Sequence, residues 1–513
     1  MRVALEKLPK TLYETYERVL KDINENNREH ARRLLHCLAV AVRPLRVEEL
    51  AEILTFDFDG AQGGIPTFKT DRRQENQEEA VLSICSSLVS IVGDGGSRIV
   101  QFSHSSAKEF LTSNHLASST GDLSRFHILP RSAHTIFARV CLGFLLHLED
   151  HIDDESFKRF PLAKYAAQYW VAHAQFEDVA SSVEDGMKSL FDLDKPHFSG
   201  WVRIYDMDRR SDGKSQSEMP NPLYYSALCG FHDLARHLAI KHPQHVNAIC
   251  GLYEFPLVAA LCRKHVRVAE VLLEHSGTVD VRGREENTVL HKIIRLNEET
   301  INAMQFLLEH GADVNARRGD LWTPLHLAVD IGELEVARTL LAHHADVNSQ
   351  NNEGLAPLHL LSGREMSPGE DNGSSLTTLL LESGANVNVR AKDNATPLHL
   401  ASYNKRLEIV RVLLDHGANA DTENDEGRTP LQEFFRGHRN SKEDGVAVAR
   451  LLLERGAEAY ARDKYHVTAS DLAICLGEQK IWKVLPDNSV ESGPENERDR
   501  TAFYLWLKGE YYP

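Results

Sequence analysis

Four histidines stand out first, because imidazole is the commonest metal ligand and general base near neutral pH. His326, His359 and His399 each occur in the string PLHL, and His291 in TVLH. A zinc site needs three or four ligands converging on one point, usually at i, i+3 or i, i+4 spacing. These histidines lie 35, 33 and 40 residues apart, no HExxH is present, and the seven cysteines form no CxxC pair. The spacing therefore assigns each histidine a local hydrogen bond that steadies the opening turn of its own repeat.

Three further strings invite a chemical reading. Ser103 and His104 adjoin in FSHSSAKEF, but no GxSxG elbow is present, and neighbours on a strand point to opposite faces. DFDG (57–60) begins like a calcium loop, yet Phe68 stands where the bidentate glutamate belongs. DRRSDGKS (208–215) approaches a phosphate loop, but Asp208 replaces the first glycine, whose backbone freedom the phosphate cradle requires. No catalytic residue, cofactor, metal or small-molecule substrate is expected, and the chain is not expected to be an enzyme.

The net charge of −17 over 513 residues opposes polyphosphates and anionic lipid. No apolar run is long enough to span a bilayer; VCLGFLLHL (140–148) falls short. The amino terminus lacks a secretory signal, and the odd, scattered cysteines read as reduced thiols of a cytoplasmic protein. A protein partner is the expectation, with neither nucleic acid nor membrane.

What positions the histidines is a period. Aligned on the residue after the threonine slot, the register runs Pro222, Pro256, Val289, Pro324, Pro357, Pro397, Pro430, Ala469. The gaps are 34, 33, 35, 33, 40, 33 and 39, the longer ones carrying polar, glycine-rich loops at 363–375 and 437–445. Thr323 caps a helix opened by Pro324, Gly332 ends it, and LEVARTLL forms a second helix. Gly311, Gly384, Gly417 and Gly456 stop the second helices in a left-handed conformation. His344 takes that slot in one repeat, so a positive φ is expected there.

TPLHLA at 323–328 and 396–401, with PLHL at 357–360, resembles the ankyrin repeat, over roughly residues 219–485. The resemblance implies a curved stack of helix pairs with protruding fingers, a fold that typically binds other proteins. PLYY (222–225), PLVA (256–259) and TVLH (288–291) depart from the pattern, and TASDLA (468–473) looks like a closing repeat.

Residues 1–112 read differently. LPKTLYETYERVLKDI (8–23), REHARRLLHCLAVAV (28–42) and RPLRVEELAEIL (43–54) are three helical segments; 57–77 reads as a loop insertion. Helix, strand, GDGG turn, strand and helix then follow, which makes a winged helix with a small β-hairpin. LPKTLYETYERVL, CSSLVSI and FSHSSAKEFL resemble the segment that follows the nucleotide-binding module of fungal NACHT–ankyrin proteins. Family members place a phosphate loop upstream of it, and this chain begins after that point. The helix at 46–54 would enter a DNA groove, but Glu48, Glu49 and Glu52 oppose phosphate.

The expected architecture is mainly α: winged helix (1–112), helical connector and polar linker (113–218), an α-solenoid of about seven ankyrin repeats plus a cap (219–485), and a tail (486–513). The aromatic end TAFYLWLKGEYYP either docks on the last repeat or serves as a partner motif. The expected function is a non-enzymatic scaffold that binds a protein partner on the concave face and fingers. Expected contacts are finger residues Arg317, Arg318, Trp322, Asn352, Lys392 and Arg428, with Asp330, Tyr403 and Lys405 on the inner helices. Trp322 is either an exposed anchor or a cover for its hairpin. The alternatives are the sensor half of a NACHT-type NTPase and a winged-helix DNA-binding regulator.

Overall fold

The apolar periodicity of the first hundred residues closes into five helices and a small sheet. This computed structural model describes residues 10–475, except 63, 74, 86, 94–97, 120, 149–158, 209–220, 297–299, 364–371 and 438–443. The GDGG turn, all of DRRSDGKS beyond Asp208, and the tail lie mostly or wholly outside the described residues. Helices α1 (Lys10–Lys21), α2 (Arg28–Val40), α3 (Val47–Glu52), α4 (Gln77–Cys85) and α5 (Ser105–Leu111) surround Leu20, Leu34, Leu50, Val81 and Phe110. The wing is three-stranded rather than two-stranded. Besides β4 (Val89–Val92) and β5 (Ile99–Phe102), the two-residue β1 (Leu45–Arg46) pairs antiparallel with β5, Leu45 opposite Val100.

The segment expected as a loop at 57–77 is mostly a hairpin, β2 (Phe56–Gln62) against β3 (Ile65–Phe68). Its polar and glycine-rich composition masks three apolar residues, Phe56, Ile65 and Phe68, all buried. Phe68 packs edge-on against Phe144 of α6 (Pro130–Leu145), with ring centroids 5.1 Å apart. Gly143 makes the approach possible: a Cβ there would lie 2.3 Å from the Pro66 carbonyl oxygen.

The connector continues with α7 (Leu162–Ala174), α8 (Glu184–Leu190) and α9 (His197–Ile204) around Trp170, Phe191 and Trp201. Trp170 stacks on Phe231 at 5.5 Å, and the Gln175 side chain donates to the Cys229 carbonyl at 2.8 Å. The first two helix pairs, starting at Pro222 and Pro256, thus share one compact unit with the winged helix and connector, residues 1–277. The contact boundary falls there rather than at 218, because these aromatic contacts cross the linker. Asp208 belongs to the same joint, buried and accepting from Tyr224 Oη (2.8 Å) and the Leu252 amide (2.7 Å).

The second unit, residues 278–513, holds the remaining repeats. In both units each first helix begins at the residue that the period marks, from Pro222 to Ala469. The insertions are shorter than expected, since helices resume at Asn372 and Asp444. Gly311, Gly384, Gly417 and Gly456 take φ of 86°, 91°, 84° and 94°, and His344 takes 65° as expected.

A Cβ at Gly417 would meet nothing within 4 Å, so conformation alone sets the cost of a side chain. Gly417→Ala should lose about 1 kcal/mol. His344→Gly should gain up to about 1 kcal/mol, since relief of strain exceeds the added unfolded-state entropy. Urea denaturation of both variants checks the opposite signs.

Candidate functional site

The recurring histidines sit at the third position of the first helices and are fully buried. His326 Nδ1 accepts the Thr323 backbone N–H (3.2 Å) and lies 2.8 Å from Thr323 Oγ1. With Nδ1 an acceptor, the proton must reside on Nε2, which donates to the Leu355 carbonyl of the next repeat (3.0 Å). His291 reaches Trp322 O (3.1 Å), His359 reaches Ala395 O (3.2 Å), and His399 reaches Arg428 O (2.9 Å). Each acceptor stands two residues before the next first helix, so one imidazole both caps its own turn and holds the base of the following finger. Burial drives the imidazoles of His291, His326 and His399 down to about 4, and that of His359 in the same direction.

The same slot holds Gln432, whose Oε1 accepts the Thr429 N–H (2.7 Å) while Nε2 donates to Val467 O (2.7 Å). In the closing repeat it holds Asp471, which accepts from the Thr468 N–H (3.0 Å) but has no proton to pass forward when ionised. The local hydrogen-bonding role expected for the histidines is what the geometry provides. Among the described residues no group of three or more His, Cys, Asp or Glu could hold a metal ion.

Two further ladders order the turns. Side-chain oxygens of Asn315, Asn348 and Asn388 accept backbone N–H groups one repeat on, at Asp346, Asn386 and Asn419 (2.7–2.9 Å). At the fingertips, the backbone N–H groups of Gly319, Asn352, Lys392, Asp425 and Lys464 donate to the carbonyls of Glu285, Asp320, Glu353, Asp393 and Glu426. All five of those acceptors are acidic residues, and each stands four residues before a first helix. The fingers are therefore tied in register, with at least one carboxylate at each of these five tips.

Between the last two of these fingers and their inner helices lies a groove of about 450 Å³, lined by Asp393, Tyr403, Asp425, Glu426, Glu433 and Arg436 among others. Arg436 is 3.3 Å from Glu426 and 3.6 Å from Glu433. Asp393 and Asp425 are exposed and in no ion pair among the described residues. Of the expected contact residues, only Tyr403 lines this groove. The carboxylates were missed, although the acid four places before five successive helix starts, from Val289 to Pro430, was readable.

The other expected contacts are scattered. Arg317, Asn352 and Lys392 are exposed on fingers, and Asp330 is half-buried. Lys405 lies in the turn after its helix, at φ 56°, with its ammonium 5.4 Å from the Phe434 ring. Trp322 is half-buried, beneath the Arg318 guanidinium (4.9 Å) and beside His326, and Arg318 is itself clamped on Asp320 at 2.6 and 2.7 Å. That geometry fits a hairpin cover.

Arg428 must be corrected. It is only 5% exposed, paired with Glu426 and lying 3.5 Å from both Glu433 and Asp463, so it is an internal counterion rather than a contact.

The carboxylates of α3 read as surface charges that oppose phosphate, but Glu49 and Glu52 are buried and engaged internally. Glu49 binds Arg43 in two places at 2.7 Å and caps the helix through the Arg46 amide. Glu52 binds Arg73 and accepts from the Leu162 amide at the start of α7 (2.7 Å). Helix α3 is thus a packing element held against the connector. His104 Nδ1 lies 2.7 Å from Ser106 Oγ, a buried hydroxyl at the cap of α5.

Removing one partner of a buried pair leaves uncompensated charge, costing about 3–5 kcal/mol, whereas a half-exposed pair is worth about 1 kcal/mol or less. Arg428→Met should therefore destabilise severely and Arg436→Ala mildly. Denaturation midpoints of the two variants decide whether Arg428 is structural.

Comparison with known proteins agrees with these two architectures. A family model described as ankyrin repeats matches three times, at 223–318, 257–351 and 369–441. One described as GPI inositol-deacylase, winged helix domain, matches residues 17–121. The azaphilone pigments biosynthesis cluster protein L of Monascus ruber is 30% identical over 296 residues, 54% of this chain and 61% of that protein. Ankyrin repeat and SOCS box protein 16 of Homo sapiens is 31% identical over 240 residues, 46% of this chain and 52% of that protein. The probable 26S proteasome regulatory subunit p28 of Saccharomyces cerevisiae is 31% identical over 155 residues, 30% of this chain and 63% of that protein. The chain thus spans less than two thirds of each of these relatives. No helix among the described residues is long and apolar enough to cross a membrane. The chain carries ankyrin repeats, preceded by a winged-helix domain of the GPI inositol-deacylase type.

Proposed function

We propose that this protein is a non-enzymatic recognition scaffold whose repeats bind a basic segment of a protein partner. The row of fingertip carboxylates, Glu285, Asp320, Glu353, Asp393 and Glu426, is the observation that carries this reading. Three of them have intramolecular cations: Arg295 beside Glu285, Arg318 on Asp320, and Arg428 with Arg436 on Glu426. Glu353 and Asp393 are exposed and have none among the described residues, and Asp393 with Asp425 offers charge without an ion-pair partner in the groove that Tyr403 also lines. A cationic side chain lowered into such a concave, partly desolvated site gains more than it would on an open surface. Arg317, Lys392 and the Trp322 finger would then sit at the rim, where contacts tune selectivity more than affinity.

A second reading is favoured by the order of domains: a winged helix of this type ahead of ankyrin repeats fits the sensor portion of a NACHT-type signalling NTPase. An intact GxxxxGK[ST] upstream in the same reading frame would support it. The cytoplasm is the compartment we assign under either reading. A DNA-binding role loses its main support, since α3 is committed to packing.

The decisive comparison uses the full chain as bait at about 50 and 300 mM salt, with the variants Asp393→Lys/Asp425→Lys and Arg318→Ala/Trp322→Ala. The charge reversal should remove the specifically retained protein, and wild-type retention should weaken at the higher salt. The Arg318/Trp322 pair should have the smaller effect. Equal retention by wild type and the lysine variant at both salt concentrations would rule the basic-segment reading out.

A further inference from the structure

We propose that the repeat stack of the second unit is an acid-labile clamp, in which His291, His326, His359 and His399 act as four proton-sensitive joints in series. The argument starts from geometry. Both ring nitrogens of each histidine are engaged inside the protein, Nδ1 as acceptor of a backbone N–H from its own turn, Nε2 as donor to the base of the next finger. Only the neutral Nε2–H form satisfies both contacts. A second proton would have to go on Nδ1, where it would face the amide hydrogen of Thr288, Thr323, Ala356 or Thr396.

At three joints a hydroxyl could turn to accept that proton, since Thr288, Thr323 and Thr396 Oγ1 lie 2.8–2.9 Å from Nδ1. At His359 the threonine is replaced by Ala356, so no hydroxyl is present. That joint is the least able to accept a charge. It also bears on the groove, because Ala395, whose carbonyl it holds, is one of the groove-lining residues, as is His399.

The charged groups facing the rings do not reverse this preference. Arg282, Arg318 and Asp320 face His291; Arg317, Asp320 and Asp346 face His326. Asp393 faces His359, and Asp393 with Arg390 faces His399. The aspartates favour the imidazolium, but burial outweighs them at every site, so all four rings are held below the ordinary value of 6.5. The fold therefore excludes the proton that the unfolded chain accepts. The histidine contribution is fully present above about pH 6.5 and is lost as pH falls from there, toward about 4 for His291, His326 and His399. In that window each histidine lowers the folded-to-unfolded ratio about tenfold per pH unit.

The chain contains its own control, since Gln432 makes the same pair of contacts without a titratable group. The test compares full-length wild type with His399→Gln and with His359→Gln/His399→Gln, measuring urea unfolding of the repeats at pH 7.5, 6.0 and 5.0. Every carboxylate is common to the three proteins, so the difference in pH slope isolates the histidines. Between pH 6.0 and 5.0 the single variant should lose about tenfold less of its folded-to-unfolded ratio than wild type, and the double variant up to about a hundredfold less. Should the double variant not fold, the single one carries the tenfold test. Identical pH slopes for wild type and His399→Gln would overturn the proposal. The outcome is independent of partner binding, so it stands or falls separately from the basic-segment reading.

Discussion

The structure of the second unit depends on one constraint: a side chain that must accept a hydrogen bond from its own turn and donate one to its neighbour's. Neutral imidazole satisfies both with a rigid ring, and the carboxamide of Gln432 does so with a flexible one. The hydrogen bonds differ in what they supply. The inward one satisfies a backbone donor at a helix start, where the first N–H groups lack intrahelical partners. The outward one fixes the distance between a helix pair and the next finger. A helix pair alone buries little surface, so the repeats stand only through such neighbour contacts. Where the slot holds an acid, as at Asp471, the outward contact stops.

This constraint explains why the repeats were so legible. Proline at the first helical turn, threonine before it and histidine two places after it together define one backbone position per repeat, and the helices begin there from Pro222 to Ala469. The positive φ of His344 was readable for the same reason, since the slot demands a left-handed residue whatever occupies it. Less legible were features fixed by distant partners. Nothing local to 56–68 reveals that Phe56, Ile65 and Phe68 would find Phe144 and a glycine at 143. Glu49, Glu52 and Arg428 read as surface charges because charge suggests solvent, but each is buried, Glu52 and Arg428 against the distant Arg73 and Asp463 and Glu49 against its neighbours Arg43 and Arg46.

The buried pairs of α3 also bear on what a winged helix does in this protein. The fold is shared by many functions, so the site and not the architecture must decide. In a DNA reader the equivalent helix keeps one face for base edges and phosphates. Here Val47, Glu49, Leu50, Ala51 and Glu52 are all buried, and the Leu162 amide and Pro161 carbonyl of the connector are bound by Glu52 and Arg46. A buried ion pair contributes little net stability against an apolar alternative, but breaking it is costly, which makes it better suited to fixing an orientation than to adding strength. The two carboxylates thus set how α3 meets α7.

The fingertips show how one period can serve both scaffold and surface. In five successive fingers the residue four places before the first helix contributes its backbone carbonyl to the fingertip ladder. Its side chain takes no part in that ladder, although Asp320 Oδ1 accepts the Trp322 amide and Asp393 Oδ1 accepts the Ala395 amide within their own fingers. An acid at that position in five successive fingers is therefore not demanded by the ladder, since any residue supplies a carbonyl. It adds repulsion between neighbouring carboxylates, which the intramolecular arginines at Glu285, Asp320 and Glu426 only partly offset. A charge arrangement that works against the isolated protein is expected where a complementary surface completes it. Among the described residues Glu353 and Asp393 have no intramolecular cation, and of the two it is Asp393 that lines the groove, so its charge is the one a cationic partner would meet there.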